Sequence, residues 1–185
     1  LGAPNNGKMK FFIMWANHNV NRTWDNTVAD KSKDGDIWSG AVSMEEFKVL
    51  VARWIELYFK RVNYYRIQGK PVLMIYDMNN FVKGMDGVEG AAFAVAYLRN
   101  ACRSAGLGGA HLMVCDYKLD KQVLKSIGVD SATMYNCIHW NDVRRHEDYG
   151  KWCEIALRRL DSAKAELGVA EYFAHASVGW DPNPR

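Results

Sequence analysis

The sequence predicts an α/β fold of the (β/α)8 TIM-barrel type, and three observations carry that reading. Short continuous apolar runs alternate with amphipathic stretches, at one βα unit per roughly 40 residues, which predicts a parallel sheet. No glycine-rich phosphate loop follows the first run, where a doubly wound nucleotide fold places one. Polar and aromatic residues instead gather just after the C-terminal end of nearly every predicted strand, the face on which a barrel builds its site. A whole barrel needs eight strands and typically about 250 residues. The chain has 185 residues, enough for about five consecutive βα units. The expectation is therefore a single domain over 1–185, the middle portion of a barrel with both ends missing.

Each element has a local reason. Residues 9–16 (MKFFIMWA) form a continuous apolar run, the mark of a strand buried on both faces. A long polar loop covers 17–40. Ser43-Met44-Glu45-Glu46 reads as a capping box, with Ser43 as N-cap and Glu46 reaching back to it. Phe47, Leu50, Val51, Trp54, Ile55 and Tyr58 then line one helix face. Gly69-Lys70-Pro71 breaks the helical pattern, and 71–76 (PVLMIY) is the second strand. The unit recurs as a helix over 88–105 stopped by Gly106, with a strand at 111–115. A short helix over 118–127 ends at Gly128, before a strand at 131–135. A long helix over 148–167 closes at Gly168, before a last strand at 172–177.

Composition narrows the class. Nearly half of the residues are hydrophobic (49%), so the chain is not a disordered tail. The net charge of +3 comes from 24 basic and 21 acidic residues with no basic block, so nucleic acid is not an expected partner. No apolar run reaches the roughly 20 residues of a membrane span. Cys102, Cys115, Cys137 and Cys153 are widely spaced inside predicted elements and read as buried thiols. The five histidines (His18, His111, His139, His146, His175) show no metal-binding spacing. There is no GxSxG nucleophile elbow. No metal and no cofactor is expected.

The chemistry concentrates at strand ends. After the first strand come Trp15, Asn17, His18 and Asn19, then Arg22, Trp24 and Asp25. Directed donors and acceptors beside indole rings suit sugars, whose hydroxyls need hydrogen bonds and whose apolar faces stack on aromatic planes. The alternative is a loop that packs and caps itself. The second strand ends in Tyr76 and Asp77. A carboxylate there serves as acid, base or hydroxyl ligand, or as a helix cap, and Asp77 is the one in-chain catalytic candidate. Asp116-Tyr117 repeats the pattern more weakly, and Asn136, His139, Trp140, Asn141 and Asp142 follow the fourth strand. At the C-terminus, Pro182 and Pro184 impose an extended path that would hold Trp180, Asp181 and Arg185 in place.

Three of these segments, in order, resemble the WbsX-type, glycoside hydrolase family 99-like proteins. Trp15-Ala16-Asn17-His18-Asn19 with Arg22-Thr23-Trp24-Asp25 resembles that family's WANEN…R.WDG segment. Residues 64–76 (YYRIQGKPVLMIY) resemble its Y..I.GKPV..IY strand, and Gly179-Trp180-Asp181-Pro182-Asn183-Pro184-Arg185 resembles its GWDN.PR. The resemblance spans nearly the whole chain. It implies a (β/α)8 barrel acting on a glycan or polysaccharide. The family 99 hydrolases are retaining endo-α-mannosidases that are thought to pass through an anhydro sugar with two glutamates. WbsX-type proteins were first named as glycosyltransferases of polysaccharide synthesis, which would require a nucleotide-sugar or lipid-linked donor, and no acidic Asp-x-Asp motif is expected to hold one. A non-catalytic carbohydrate-binding remnant is the third reading.

The family's NEW.E glutamate motif lies downstream of the segment resembling 179–185, and no Asn-Glu-Trp occurs in this chain. The catalytic glutamates are therefore expected beyond Arg185, with these residues alone inactive. A partial barrel has open edges, so self-association or a complementing polypeptide is expected too. A polysaccharide hydrolase would also be expected to act in the periplasm or outside the cell rather than in the cytoplasm.

Overall fold

A computed structural model describes residues 4–21, 35–116, 119–134 and 148–175. Its strands are β1 (Ile13–Trp15), β2 (Arg66–Ile67), β3 (Lys70–Ile75), β4 (His111–Cys115), β5 (Ser131–Thr133) and β6 (Glu171–Phe173). Its helices are α1 (Met44–Trp54), α2 (Met78–Gly84), α3 (Val88–Ser104), α4 (Lys121–Ile127) and α5 (Tyr149–Leu167). The sheet runs β1-β3-β4-β5-β6, every neighbour on that path parallel, with β2 antiparallel on β3. The fold is thus mixed α/β with a mostly parallel sheet.

Local signals account for most boundaries. The capping box forms as expected: the Ser43 hydroxyl accepts from the Glu46 amide, and the Glu46 carboxylate accepts from the Ser43 amide at 2.7 Å. Those bonds hold the Glu46 carboxyl below its ordinary value. Beyond Trp54 the helix widens into a π-helical turn over Ile55–Phe59. Gly128 and Gly168 end α4 and α5 in the left-handed conformation that a Cβ disfavours. Asp120 and Asp148 cap the same two helices at their starts.

Register divides the sheet into two unlike faces. Ile13 and Trp15 lie beside Leu73 and Ile75, then Leu112 and Val114, then Ala132, then Tyr172. That face packs on residues from α1 to α5 in one continuous core. The alternate residues Val72, Met74, Met113 and Cys115 form a separate cluster with Tyr65, Ile67, Tyr76 and Phe173. So every described helix covers one face, and the strands follow in chain order. A doubly wound sheet reverses its strand order and clothes both faces. A singly wound one, with crossovers of constant hand, is compatible with an arc of a barrel.

β3 and β4 are buried on both faces, as their apolar runs predict. β1 is not: Phe12 and Met14, on the helix-free face, are 39% and 38% exposed. Among the described residues β1 pairs with β3 alone, and no helix covers that side. The expected strand over 9–16 is also shorter, because the Phe11 backbone pairs with Tyr64 instead of β3. Tyr64 is 2% exposed and braces the gap. Its hydroxyl accepts from the Ile13 amide at 3.1 Å and donates to the Val72 carbonyl at 2.6 Å.

At the opposite end of the strands from the loops of interest, His111 meets the Ser131 hydroxyl at 2.7 Å, both side chains buried. Burial lowers the His111 pKa, opposed by Asp130 and aided by Lys70 and Arg99. Arg99 in turn pairs with Asp130 at 2.8 Å, whose carboxylate also accepts from the Leu112 amide. Burial also pushes the Cys102 thiol up to about 12, which keeps it protonated and inert.

Two outcomes are expected. Tyr64→Phe leaves the Ile13 amide and Val72 carbonyl without their partner and should cost about 1–3 kcal/mol in urea unfolding. Because the native His111 pKa lies below the unfolded value, its contribution is complete above pH ~6.5 and is lost progressively as pH falls below that. His111→Gln should flatten the acid limb of a melting-temperature profile. An unchanged limb would place the acid sensitivity elsewhere.

Candidate functional site at the strand ends

The loops after β1 and β3 are joined by a side chain that imitates backbone. Asn17, 2% exposed, donates from Nδ2 to the Asp77 carbonyl at 2.6 Å and accepts the Asp77 amide on Oδ1 at 2.8 Å. This pair continues the β1–β3 ladder past its last backbone bond, Tyr76 amide to Trp15 carbonyl at 3.1 Å. Asp77 caps α2, its Oδ1 accepting from the Asn80 amide at 2.9 Å. Asn80, also buried, returns the contact: its Nδ2 donates to the Asn17 carbonyl at 3.0 Å and to Asn19 Oδ1 at 2.8 Å.

Asn19 carries the network outward. Its Oδ1 also accepts the Gly40 amide at 2.9 Å, and its Nδ2 donates to the Asp36 carboxylate. Val20 and Trp38 pair antiparallel, with backbone bonds of 2.9 and 3.2 Å. Gly40 presses against the 17–18 backbone, so a Cβ built there would stand 2.2 Å from the Asn17 carbonyl oxygen. Only glycine allows that approach.

With Asn17 and Asn19 turned into this network, His18 between them is exposed and meets Tyr76 edge to face, ring centroids 5.5 Å apart. Tyr76 belongs to the helix-free face of the sheet. Across the sheet, the Tyr172 hydroxyl donates to buried Asp116 at 3.3 Å. Burial first, then Asp116, push the Tyr172 ionisation well above its ordinary range, so it stays a neutral donor. Thr133 donates to the Phe173 carbonyl at 2.7 Å, and His175 Nδ1 lies 3.1 Å from the Met134 carbonyl.

The structure brings together His18, Tyr76, Asn17 and Asp77 and gives them different surroundings. The first two front the helix-free side. Asn17 spends its amide on the Asp77 backbone, and Asp77 serves as the helix cap that the sequence left open as an alternative. Trp15 lies on the helix side, ringed by Phe47, Trp54 and Phe81 at centroid distances of 5.9, 5.5 and 6.2 Å. Arg22, Trp24, Asp25, Asn136, His139, Trp140, Trp180, Asp181 and Arg185 lie outside the described residues. Among the described residues, no three His, Cys, Asp or Glu side chains are grouped to hold a metal, and no helix is long and apolar enough to cross a membrane.

Sequence reasoning passed over three features. Asn80 carried no motif, and its role appears only through contacts 61 and 63 residues away. Trp38 stood alone in a polar loop. Asp34-Gly35-Asp36 is an Asp-x-Asp triplet, a spacing that in other folds holds a metal-bound diphosphate, and it corrects the expectation that no such motif is present.

The described strands thus form a singly wound α/β sheet with amides, an imidazole and aromatic rings at its strand ends. The chain belongs to the WbsX family: the model described as Glycosyltransferase WbsX matches residues 3–185. That membership makes it a carbohydrate-active enzyme linked to polysaccharides. No curated protein and no solved structure matches the chain significantly.

Asn17→Ala strands two backbone groups of Asp77 and should cost about 2–3 kcal/mol of stability. Asn17→Asp should cost as much or more, since a carboxylate would face the Asp77 carbonyl. Equal stability of all three proteins in urea would show that the clasp carries no weight.

Proposed function

We propose that this protein is a glycoside hydrolase cleaving an α-linked polysaccharide or glycan, on a (β/α) barrel of which residues 1–185 are one continuous domain. The single observation carrying this reading is the singly wound sheet with all described helices on one face. Folds that bind nucleotide-sugar donors in an open crevice depend on a reversal of strand order, and the described strands show none. In this reading His18 and Tyr76 contact the sugar. Asn17, Asp77 and Asn80 position them, and Trp15 acts through packing. Arg22, Trp24, Asp25, Asn136, His139, Trp140, Trp180, Asp181 and Arg185 are the further sugar-binding candidates that the sequence supplies.

A specific observation favours a second reading. The family's own description is a glycosyltransferase, and the sequence holds the Asp-x-Asp triplet Asp34-Gly35-Asp36. Transfer would move a glycosyl group from an activated donor to a polysaccharide hydroxyl.

Incubating the purified full-length protein that carries these residues with soluble α-mannan separates the two. Hydrolysis should raise reducing ends without any donor, and it should persist in a chelator. Release of nucleoside diphosphate only when a nucleotide sugar and a divalent cation are supplied would replace hydrolysis with transfer.

A further inference from the structure

We infer that Trp38 is the stacking platform of a second sugar subsite, beside the one at His18 and Tyr76, and that the ligand is therefore a polysaccharide chain rather than a single sugar. This rests on the carbohydrate reading above and goes beyond it in assigning a residue and a substrate length. The indole of Trp38 is 71% exposed. Its backbone is nonetheless held from several sides: by Val20 through paired bonds, by the Ile37 amide on the Val20 carbonyl at 2.8 Å, and by Gly40 on Asn19. An aromatic ring carried on an anchored backbone and left uncovered can stack on a flat apolar ligand surface, such as a pyranose face.

Register aims it at the same side as His18. Trp38 pairs with Val20, the members of such a pair share a face, and Val20 lies two residues from His18, so it shares that residue's side of an extended chain. The alternate residues Asn17 and Asn19 point the other way, into the Asp77 and Asn80 network, as that parity requires. Diagonal neighbours on such a ribbon stand about 7–8 Å apart, so a strip runs from Tyr76 across His18 to Trp38. Val20, paired with Trp38 and 45% exposed, adds an aliphatic side chain to that strip, and the neighbouring Asp36 and Ser39 are exposed polar residues.

The test is affinity electrophoresis of the purified protein through gels containing α-mannan, α-glucan, β-glucan or galactan. Trp38→Ala should weaken retardation by the bound polysaccharide about tenfold, and Trp38→Phe should retain most of it. Phe93→Ala, which removes an aromatic equally in solvent but on α3, should change nothing. A parent protein retarded by one polysaccharide, with Trp38→Ala unaltered, overturns the platform and leaves the carbohydrate reading standing. A parent ignored by all four overturns both. Loss of self-association in Trp38→Ala, with glycan retardation intact, would assign the indole to a second copy and overturn the subsite.

Discussion

The two-way hydrogen bond between the Asn17 amide and the Asp77 backbone is the constraint on which the rim depends. Two parallel strands diverge once their ladder ends, and their loops would then be free to move independently. A primary amide offers one donor and one acceptor in the geometry of a peptide group, so Asn17 extends the ladder by one more rung. Everything outward follows from that rung. Asp77 is placed to cap α2, α2 presents Asn80, Asn80 fixes Asn17 and Asn19, and Asn19 holds the returning 36–40 segment. His18 is left as the residue between two anchored neighbours. A buried polar network of this kind is favourable only when fully satisfied, which is why so many of its bonds go to backbone groups that must be paired anyway.

The second constraint is the one-sidedness of the helices. Because strand order never reverses, α1 to α5 share one face, and the other face is left to Val72, Met74, Met113, Cys115 and Phe173. The aromatic residues divide along the same line. Trp15 joins Phe47, Trp54 and Phe81 in the wall, while Tyr76, one step out of phase with Ile75, meets His18. Two aromatic residues at strand ends can thus have opposite roles, decided by strand parity.

Much of this was legible in the chain. The capping box at Ser43, the Gly128 and Gly168 stops, and the doubly buried strands β3 and β4 all follow from patterns spanning a few residues. β2 and α2 were missed for a physical reason. β2 is only Arg66 and Ile67, folded back on β3 through Gln68 and Gly69 at positive φ. α2 is seven residues whose cap, Asp77, looks the same in sequence as a catalytic carboxylate. Asp77 was read with both roles open because its local sequence fits either, and only the position of the Asn80 amide shows the cap.

The sequence by itself determined the alternation of strands and helices, their order, where most of them begin and end, and which residue types collect at strand ends. Those are properties of local propensity and of hydrophobic period, which need only neighbours along the chain. The tertiary structure alone decided which of those residues face the rim. That choice depends on register between strands 60 residues apart and on partners such as Asn80, and a one-residue change of register would exchange the roles of Trp15 and His18 with those of Ala16 and Asn17.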